Sequence, residues 1–147
     1  MQSQCFILLK PDAHRRGLVG EILSRFEKRG YTIDRMSHIS YPERYMIEEF
    51  YSKHRDKNFF EEIVQFMMSG PITAIVLNGN PDLVRSIVGD TYPYKCSHGS
   101  IRGDLSSSIV ENLIHCSLPG FFLSLIRASM ARTIFASPQI LLRLPKK

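Results

Sequence analysis

Short apolar runs and helix-like repeats alternate along this chain and predict its secondary structure. An apolar run at residues 5–9 ends at Lys10 and Pro11, which indicates a buried strand stopped by proline. Residues 17–29 repeat apolar side chains every three or four positions and precede Gly30, a pattern typical of a helix with a glycine cap. Residues 31–39 alternate apolar and polar side chains, which predicts a half-buried strand.

The same patterns continue in the second half of the chain. They predict helices over residues 42–51, 59–68 and 81–88 and strands over residues 72–77 and 113–116. Residues 89–103 carry several glycines without apolar periodicity, so they predict a long loop, either ordered or disordered, of a length that is often functional. Residues 107–111 are interpreted as a single helical turn.

The order of these elements predicts the fold class. Strands and helices follow one another as β-α-β-α-α-β-α-β, which favours an α+β fold with a ferredoxin-like antiparallel four-stranded sheet covered by helices. A length of 147 residues predicts a single domain, residues 1–147.

Composition narrows the class of protein. The apolar stretches are too short for a membrane span and no cleavable leader is visible, so we expect a soluble, cytoplasmic protein, with a nuclear share left open. Cys5, Cys96 and Cys116 show no C-x-x-C spacing and are interpreted as reduced thiols. The net charge of +5 favours a polyanionic partner, either nucleic acid or nucleotide phosphates, and charge alone does not choose between them.

Polar side chains that suit a polyphosphate fall at element ends and in the glycine-containing loop. Cationic side chains neutralise phosphate oxygens, and glycines allow the backbone to approach. The alternative is a scatter of solvated charges. The candidate side chains are Lys10, Arg85, Thr91, Arg102, Asn112 and His115.

Seven ordered motifs resemble the nucleoside diphosphate kinase family. The resemblance extends from about residue 4 to Ser117 and predicts phosphotransferase activity. The motifs are residues 6–12 (FILLKPD), 16–22 (RGLVGEI), 59–60 (FF), 68–71 (MSGP), 89–91 (GDT), 101–104 (IRGD) and 112–115 (NLIH).

The resemblance implies a two-step exchange. A nucleoside triphosphate, typically ATP, phosphorylates His115, and a different nucleoside diphosphate then takes the group to become a triphosphate. Mg²⁺ is the implied cofactor and arrives on the nucleotide phosphates rather than in a protein cage. The implied assembly is a homo-oligomer, with a hexamer favoured over a tetramer. Membrane binding is not expected, and nucleic acid is not expected as the primary partner.

The resemblance also implies a role for each matched residue. Lys10 and Arg102 contact the transferring phosphate, Arg85 and Thr91 the inner phosphates, and Tyr51 orients the phosphate or the imidazole of His115. Phe59 stacks on the base beside Ile63 and Ile109, and Asn112 hydrogen-bonds the sugar or phosphate. The resulting catalytic set is His115, Lys10 and Tyr51.

The resemblance stops abruptly after Ser117. The family has an aspartate where this chain has Leu118 and a glutamate near Ile126, and the last 36 positions contain five basic and no acidic residues. Residues 118–147 therefore form an atypical tail, which is explained either by a reading-frame shift or by divergence. The alternative function is a nucleotide-binding relative whose turnover is weak or lost because of this change.

Overall fold

A computed structural model describes residues 3–117 as four strands, six α-helices and two short 3₁₀ turns. The predictions for residues 118–147, including those for Leu118 and Ile126, lie outside the described residues. The strands are β1 (Gln4–Leu9), β2 (Thr32–Ile39), β3 (Ile72–Asn78) and β4 (Ile114–Ser117). The helices are α1 (Pro11–Arg15), α2 (Val19–Glu27), α3 (Arg44–Phe50), α4 (Phe60–Met68), α5 (Pro81–Val88) and α6 (Ile101–Leu105), with 3₁₀ turns at Ser52–His54 and Pro93–Lys95.

The strands form one antiparallel sheet in the order β2-β3-β1-β4. Strand β1 lies between β3 and β4, with Ile7 opposite both Ile75 and Cys116. The connections through helices place β1 between β3 and β4, neither of which is its neighbour in sequence, while β2 pairs with β3 at the edge. This arrangement confirms the predicted α+β fold with a helix-covered, ferredoxin-like antiparallel sheet.

Strand β1 is apolar along its whole length because helices cover both faces of the sheet. The side chains of Cys5, Ile7 and Leu9 pack into one core with α2 and α5. The side chains of Phe6 and Leu8 point to the other face and pack into a second core with α3 and α4. Burial on both faces removes the polar alternation that a half-exposed strand shows. The continuous apolar run at residues 5–9 is thus the sequence signature of a central strand.

Strand β2 departs from its prediction as a half-buried strand. Tyr31, just before β2, and Ile39, at its end, are buried, but Ile33 is 37% exposed and Met36 48% exposed. A register shift between Ile33 and Arg35 interrupts the alternation, and β2 lies at the sheet edge. The prediction was wrong for the middle of the strand because edge position and a β-bulge changed which side chains face the core.

Helix α1 was not predicted. Pro11 was interpreted only as the end of a strand, yet it stands in the first turn of α1, where its missing N–H costs nothing. Gly17 follows α1 with a φ of +65°, and α2 begins at Val19 rather than at the predicted residue 17. The five residues of α1 are too few to show a helical period in the sequence.

Residues 89–111 also differ from their prediction. The predicted loop contains a 3₁₀ turn and helix α6, which Ser100 caps by accepting a hydrogen bond from the Gly103 N–H at 3.1 Å. The helical turn predicted at residues 107–111 is absent from the described structure. There the Ser108 hydroxyl accepts the Glu111 N–H at 2.9 Å, so a side chain replaces the helical backbone acceptor.

Within residues 3–117, no helix combines the length and apolar character needed to cross a bilayer.

Candidate active site

Lys10 follows the central strand and is almost buried beneath the turn that leads to β4. Its side chain is 9% exposed, and its ammonium donates to Asn112 Oδ1 at 2.5 Å and to the Val110 carbonyl at 3.4 Å. Burial and the nearby Arg102 lower the pKa of Lys10 to about 8, although Asp12 partly opposes them. The side chain therefore offers a positive charge that a bound anion would stabilise.

Arg102 lies in α6 and connects three parts of the site. Its guanidinium donates to the carbonyl oxygens of Gly89 at 3.2 Å, Asn112 at 3.4 Å and Ile114 at 2.5 Å. The side chain is 8% exposed, and burial is the main cause that lowers its pKa. These bonds fix the guanidinium relative to the start of β4, where His115 lies.

His115 stands opposite Leu8 in β4, so its ring lies on the α3 side of the sheet. The ring packs edge-on against Phe50 and Tyr51, with centroid distances of 5.1 and 6.0 Å. Burial lowers the pKa of His115 to about 4, and the positive charges of Lys10 and Arg102 act in the same direction. The imidazole is thus neutral at physiological pH.

Tyr51 presents a buried hydroxyl beside this histidine. The residue caps the C-terminal end of α3, is 6% exposed, and its oxygen has no hydrogen-bond partner in the described part of the chain. Burial raises the pKa of Tyr51, so the hydroxyl stays protonated. A buried donor without a partner is costly unless a ligand supplies the acceptor.

An open cleft of about 400 Å³ joins these groups to the glycine-containing loop. Two arginines, one hydroxyl and the histidine face a common space, as a polyphosphate requires. The predicted Arg85, Thr91, Arg102 and His115 are therefore brought together, and Lys10 and Asn112 adjoin them through the bonds above. The lining residues are Arg85, Gly89, Asp90, Thr91, Arg102, His115 and Cys116.

The three apolar residues predicted for a base slot are less closely associated. Phe59 precedes α4, is 44% exposed and lies with its ring centroid 5.9 Å from that of His54. Ile63 packs against the core between α3, α4 and the sheet. Ile109 is 49% exposed and lines a neighbouring groove with Glu62 and Phe66. Their common role in base stacking stays a prediction.

Sequence reasoning missed two residues that organise the site. Asp12 is fully buried, and its Oδ2 accepts the Leu113 N–H at 3.0 Å. Leu113 has a φ of +73°, unusual for a residue with a side chain. Asp12 falls within the motif at residues 6–12, which could have drawn attention to it. A leucine, in contrast, gives no indication in the sequence that its φ is positive.

A comparison with known protein families identifies the chain. The sequence model of a family described as nucleoside diphosphate kinase matches residues 3–119. The chain belongs to this family. It is accordingly an enzyme, a nucleotide-binding kinase of nucleotide metabolism, as the motifs predicted.

Relatives of known sequence agree with this assignment. A nucleoside diphosphate kinase of Fervidobacterium nodosum is 47% identical over 117 residues, which cover 78% of this chain and 79% of the relative. Another, of Saccharolobus islandicus, is 40% identical over 119 residues, covering 80% of this chain and 86% of the relative.

Solved nucleoside diphosphate kinases share the fold. The enzyme of Halobacterium salinarum, solved in complex with CDP, has a TM-score of 0.75 at 34% identity, covering 80% of this chain and 78% of its own. The apo enzyme of Encephalitozoon cuniculi has a TM-score of 0.76 at 32% identity, covering 100% of this chain and 95% of its own.

The buried His115 predicts a loss of stability in acid. The unfolded chain of this kinase takes up a proton near the ordinary histidine pKa of 6.5, whereas the folded chain does so only near 4. Stability from this group is therefore complete above pH ~6.5 and falls as the pH drops toward 4. A pKa difference of about 2.5 corresponds to a loss of about 3 kcal/mol.

Urea unfolding at pH 7 and near pH 4.5 measures this loss, with His115→Gln as the control because glutamine does not titrate. We expect the free energy of unfolding to fall by about 2 kcal/mol more in the unsubstituted chain than in the variant. Equal decreases in both proteins would contradict the low pKa.

Proposed function

We propose that this nucleoside diphosphate kinase transfers the terminal phosphate of a nucleoside triphosphate to nucleoside diphosphates through a phosphohistidine at His115, by a ping-pong mechanism. The observation that carries the proposal is the neutral imidazole of His115 on a cleft that also contains Arg85 and Arg102. A neutral imidazole has a free lone pair and is a competent nucleophile. The exchange supplies nucleoside and deoxynucleoside triphosphates.

The first half-reaction follows from this arrangement. A ring nitrogen of His115 attacks the terminal phosphorus, a nitrogen–phosphorus bond forms, and the bond to the bridging oxygen breaks as the nucleoside diphosphate leaves. The second half-reaction reverses these steps with another diphosphate. Both half-reactions use the same site, so the nucleoside diphosphate formed from the donor must leave before the acceptor diphosphate binds.

The cationic side chains supply electrostatic stabilisation. Lys10 and Arg102 would contact the transferring group, where negative charge builds up, while Arg85 and Thr91 would hold the inner phosphates. The three hydrogen bonds of Arg102 to backbone carbonyls support this role, because they fix the guanidinium before substrate arrives. Preorganised charges need no rearrangement during transfer.

The remaining side chains would orient the nucleotide. The unpartnered Tyr51 hydroxyl, next to the His115 ring, suits an acceptor on the phosphate or the imidazole. Asn112 would bind the sugar or phosphate beside Lys10. Phe59 would stack on the base, with Ile63 and Ile109 beside it. An apolar plate does not distinguish purines from pyrimidines, so broad base tolerance follows.

Mg²⁺ would be carried by the nucleotide phosphates. Among the described residues, no group of three or more histidine, cysteine or acidic side chains is arranged to hold a metal ion. The cleft instead offers two arginines and a hydroxyl beside the single carboxylate of Asp90, which fit a Mg²⁺–nucleotide complex better than a free metal ion. When bound, Mg²⁺ would neutralise phosphate charge.

We further propose that residues 1–147 form one domain and that the protein is cytoplasmic. A homo-oligomer is expected, a hexamer before a tetramer. Nucleoside di- and triphosphates are the expected partners.

Incubation of the purified protein with Mg²⁺ and γ-labelled ATP tests the mechanism. We expect label that is stable in alkali and labile in acid, as a phosphohistidine is, and its complete transfer to added GDP or CDP. Bound nucleotide without protein-bound label would contradict the proposal and favour a relative with weak or lost turnover.

A further inference from the structure

The chain makes a strained turn just before His115. Leu113 has a φ of +73°, and the Ile114 N–H donates to the Asn112 carbonyl, two residues back, at 2.8 Å. These features define a γ-turn with a positive central φ, the rarer and more strained form. Among residues 3–117, Leu113 is the only residue other than glycine with a positive φ.

Two backbone and side-chain groups from the segment after β1 hold this turn. The Leu113 N–H donates to Asp12 Oδ2 at 3.0 Å, and the Leu113 carbonyl accepts from the Lys10 N–H at 2.9 Å. Both polar groups of the strained residue are thus satisfied from the same segment. Strained backbone persists where surrounding contacts fix it, and such residues cluster at functional sites.

The turn controls the position of the groups that would meet the phosphate. Asn112 precedes the strained residue, and its side chain contacts Lys10 Nζ at 2.5 Å. Ile114 follows, and its carbonyl accepts from Arg102 at 2.5 Å. His115 is the next residue along β4. A change in the φ of Leu113 would therefore move Asn112 and His115 relative to Lys10 and Arg102.

Asp12 stands in the first turn of α1, where a carboxylate can stabilise the helix N-terminus. That role needs no burial, because an exposed carboxylate interacts with the helix dipole as well. Asp12 is fully buried, and its Oδ1 has no partner in the described chain. Burying a carboxylate in this way is costly, and the bond to the Leu113 N–H and the nearby charge of Lys10 offset that cost.

We propose that Asp12 is a positioning residue for phosphoryl transfer, whose carboxylate holds the N–H of Leu113 and so keeps the γ-turn that sets His115 and Asn112 against Lys10 and Arg102. Asp12 acts through the turn and does not touch the phosphate. This inference rests on the proposed function of His115 for its catalytic part, and on geometry alone for the turn.

Three variants test the proposal. Asp12→Ala removes the acceptor for the Leu113 N–H, while Asp12→Asn keeps an oxygen in its place without the charge. Ile22→Val is the control, because Ile22 is fully buried in the same core as Leu113 but makes no bond to the turn. The rate of His115 labelling from γ-labelled ATP and the hydrogen exchange of the Leu113 amide are measured for each.

The expected results separate positioning from general stability. Asp12→Ala should label about 100-fold more slowly, as expected when reacting groups are misplaced, and should lose protection at Leu113. Asp12→Asn should keep that protection and label within about tenfold of the unsubstituted rate. Ile22→Val should lower the melting temperature while both readouts stay unchanged.

Two results would overturn the proposal. One is an Asp12→Ala variant that labels at the unsubstituted rate, which leaves the phosphohistidine mechanism intact but removes Asp12 from it. The other is full protection of the Leu113 amide in Asp12→Ala, which shows that the turn does not depend on the carboxylate. If the unsubstituted chain takes no label, the proposed function fails, and hydrogen exchange still tests the turn.

Discussion

Replacing His115 by alanine is expected to lower nucleoside diphosphate kinase activity by about 10⁵-fold or more and to abolish acid-labile labelling. The variant removes the only nucleophile proposed for the covalent step, and losses of this size are typical when a nucleophile is removed. Lys10, Arg85 and Arg102 would still bind nucleotide, so affinity for a nucleoside diphosphate should persist. The measurement pairs steady-state kinetics with binding calorimetry.

A second histidine provides the matched control for this variant. His98 lines a different groove, with Arg25 and Asp104, away from the cleft that contains His115. His98→Ala should keep full labelling and full turnover. Retained label in His115→Ala, or its loss in His98→Ala, would place the phosphoryl carrier elsewhere in the chain.

The central part of the fold was predictable because burial leaves a direct pattern in the sequence. Strand β1 is covered on both faces, and its five consecutive apolar side chains indicate a central position in the sheet. Helix α5 was predicted with its observed bounds, Pro81–Val88, since proline stands at its start and a glycine follows it. For β1 the burial pattern, and for α5 the residues at the helix ends, were enough to predict the element from the sequence.

The parts that sequence reasoning missed depend on contacts between distant residues. The exposure of Met36 follows from the place of β2 at the sheet edge, which periodicity within one strand does not reveal. At the turn, the Leu113 N–H donates to Asp12, 101 positions earlier in the chain. A leucine has no intrinsic preference for positive φ, so its own sequence neighbourhood contains no signal.

The candidate site was also predictable only in part: its residues could be named from the sequence, but their contacts and burial could not. His115, Arg102 and Thr91 were predicted from motifs and Arg85 from its cationic side chain near an element end, and the fold brings all four to one cleft. The sequence did not indicate that Arg102 also bonds three backbone carbonyls or that burial keeps His115 neutral. These properties arise from packing, and they are the ones on which the proposed phosphoryl transfer depends.

Replacing Arg102 by lysine is expected to impair both catalysis and stability, although the charge is kept. A guanidinium has five N–H donors, and three bonds go to the carbonyls of Gly89, Asn112 and Ile114, which leaves donors for phosphate. An ammonium is a compact group with three donors and does not span these acceptors. Buried carbonyls would lose their partners, so we expect about 2 kcal/mol less free energy of unfolding.

The catalytic part of this prediction is a 10²- to 10³-fold loss in the labelling rate, about the effect of removing one preorganised donor from a transition state. Arg85→Lys is the control, because Arg85 lines the same cleft but, within residues 3–117, its guanidinium forms no hydrogen bond to a backbone carbonyl as that of Arg102 does. It should lose activity about tenfold and keep its melting temperature, since its contribution is mainly charge. Equal melting temperatures for both variants would show that Arg102 serves the phosphate alone, whereas a drop confined to Arg102→Lys would show that one side chain both binds phosphate and fixes the backbone that presents His115.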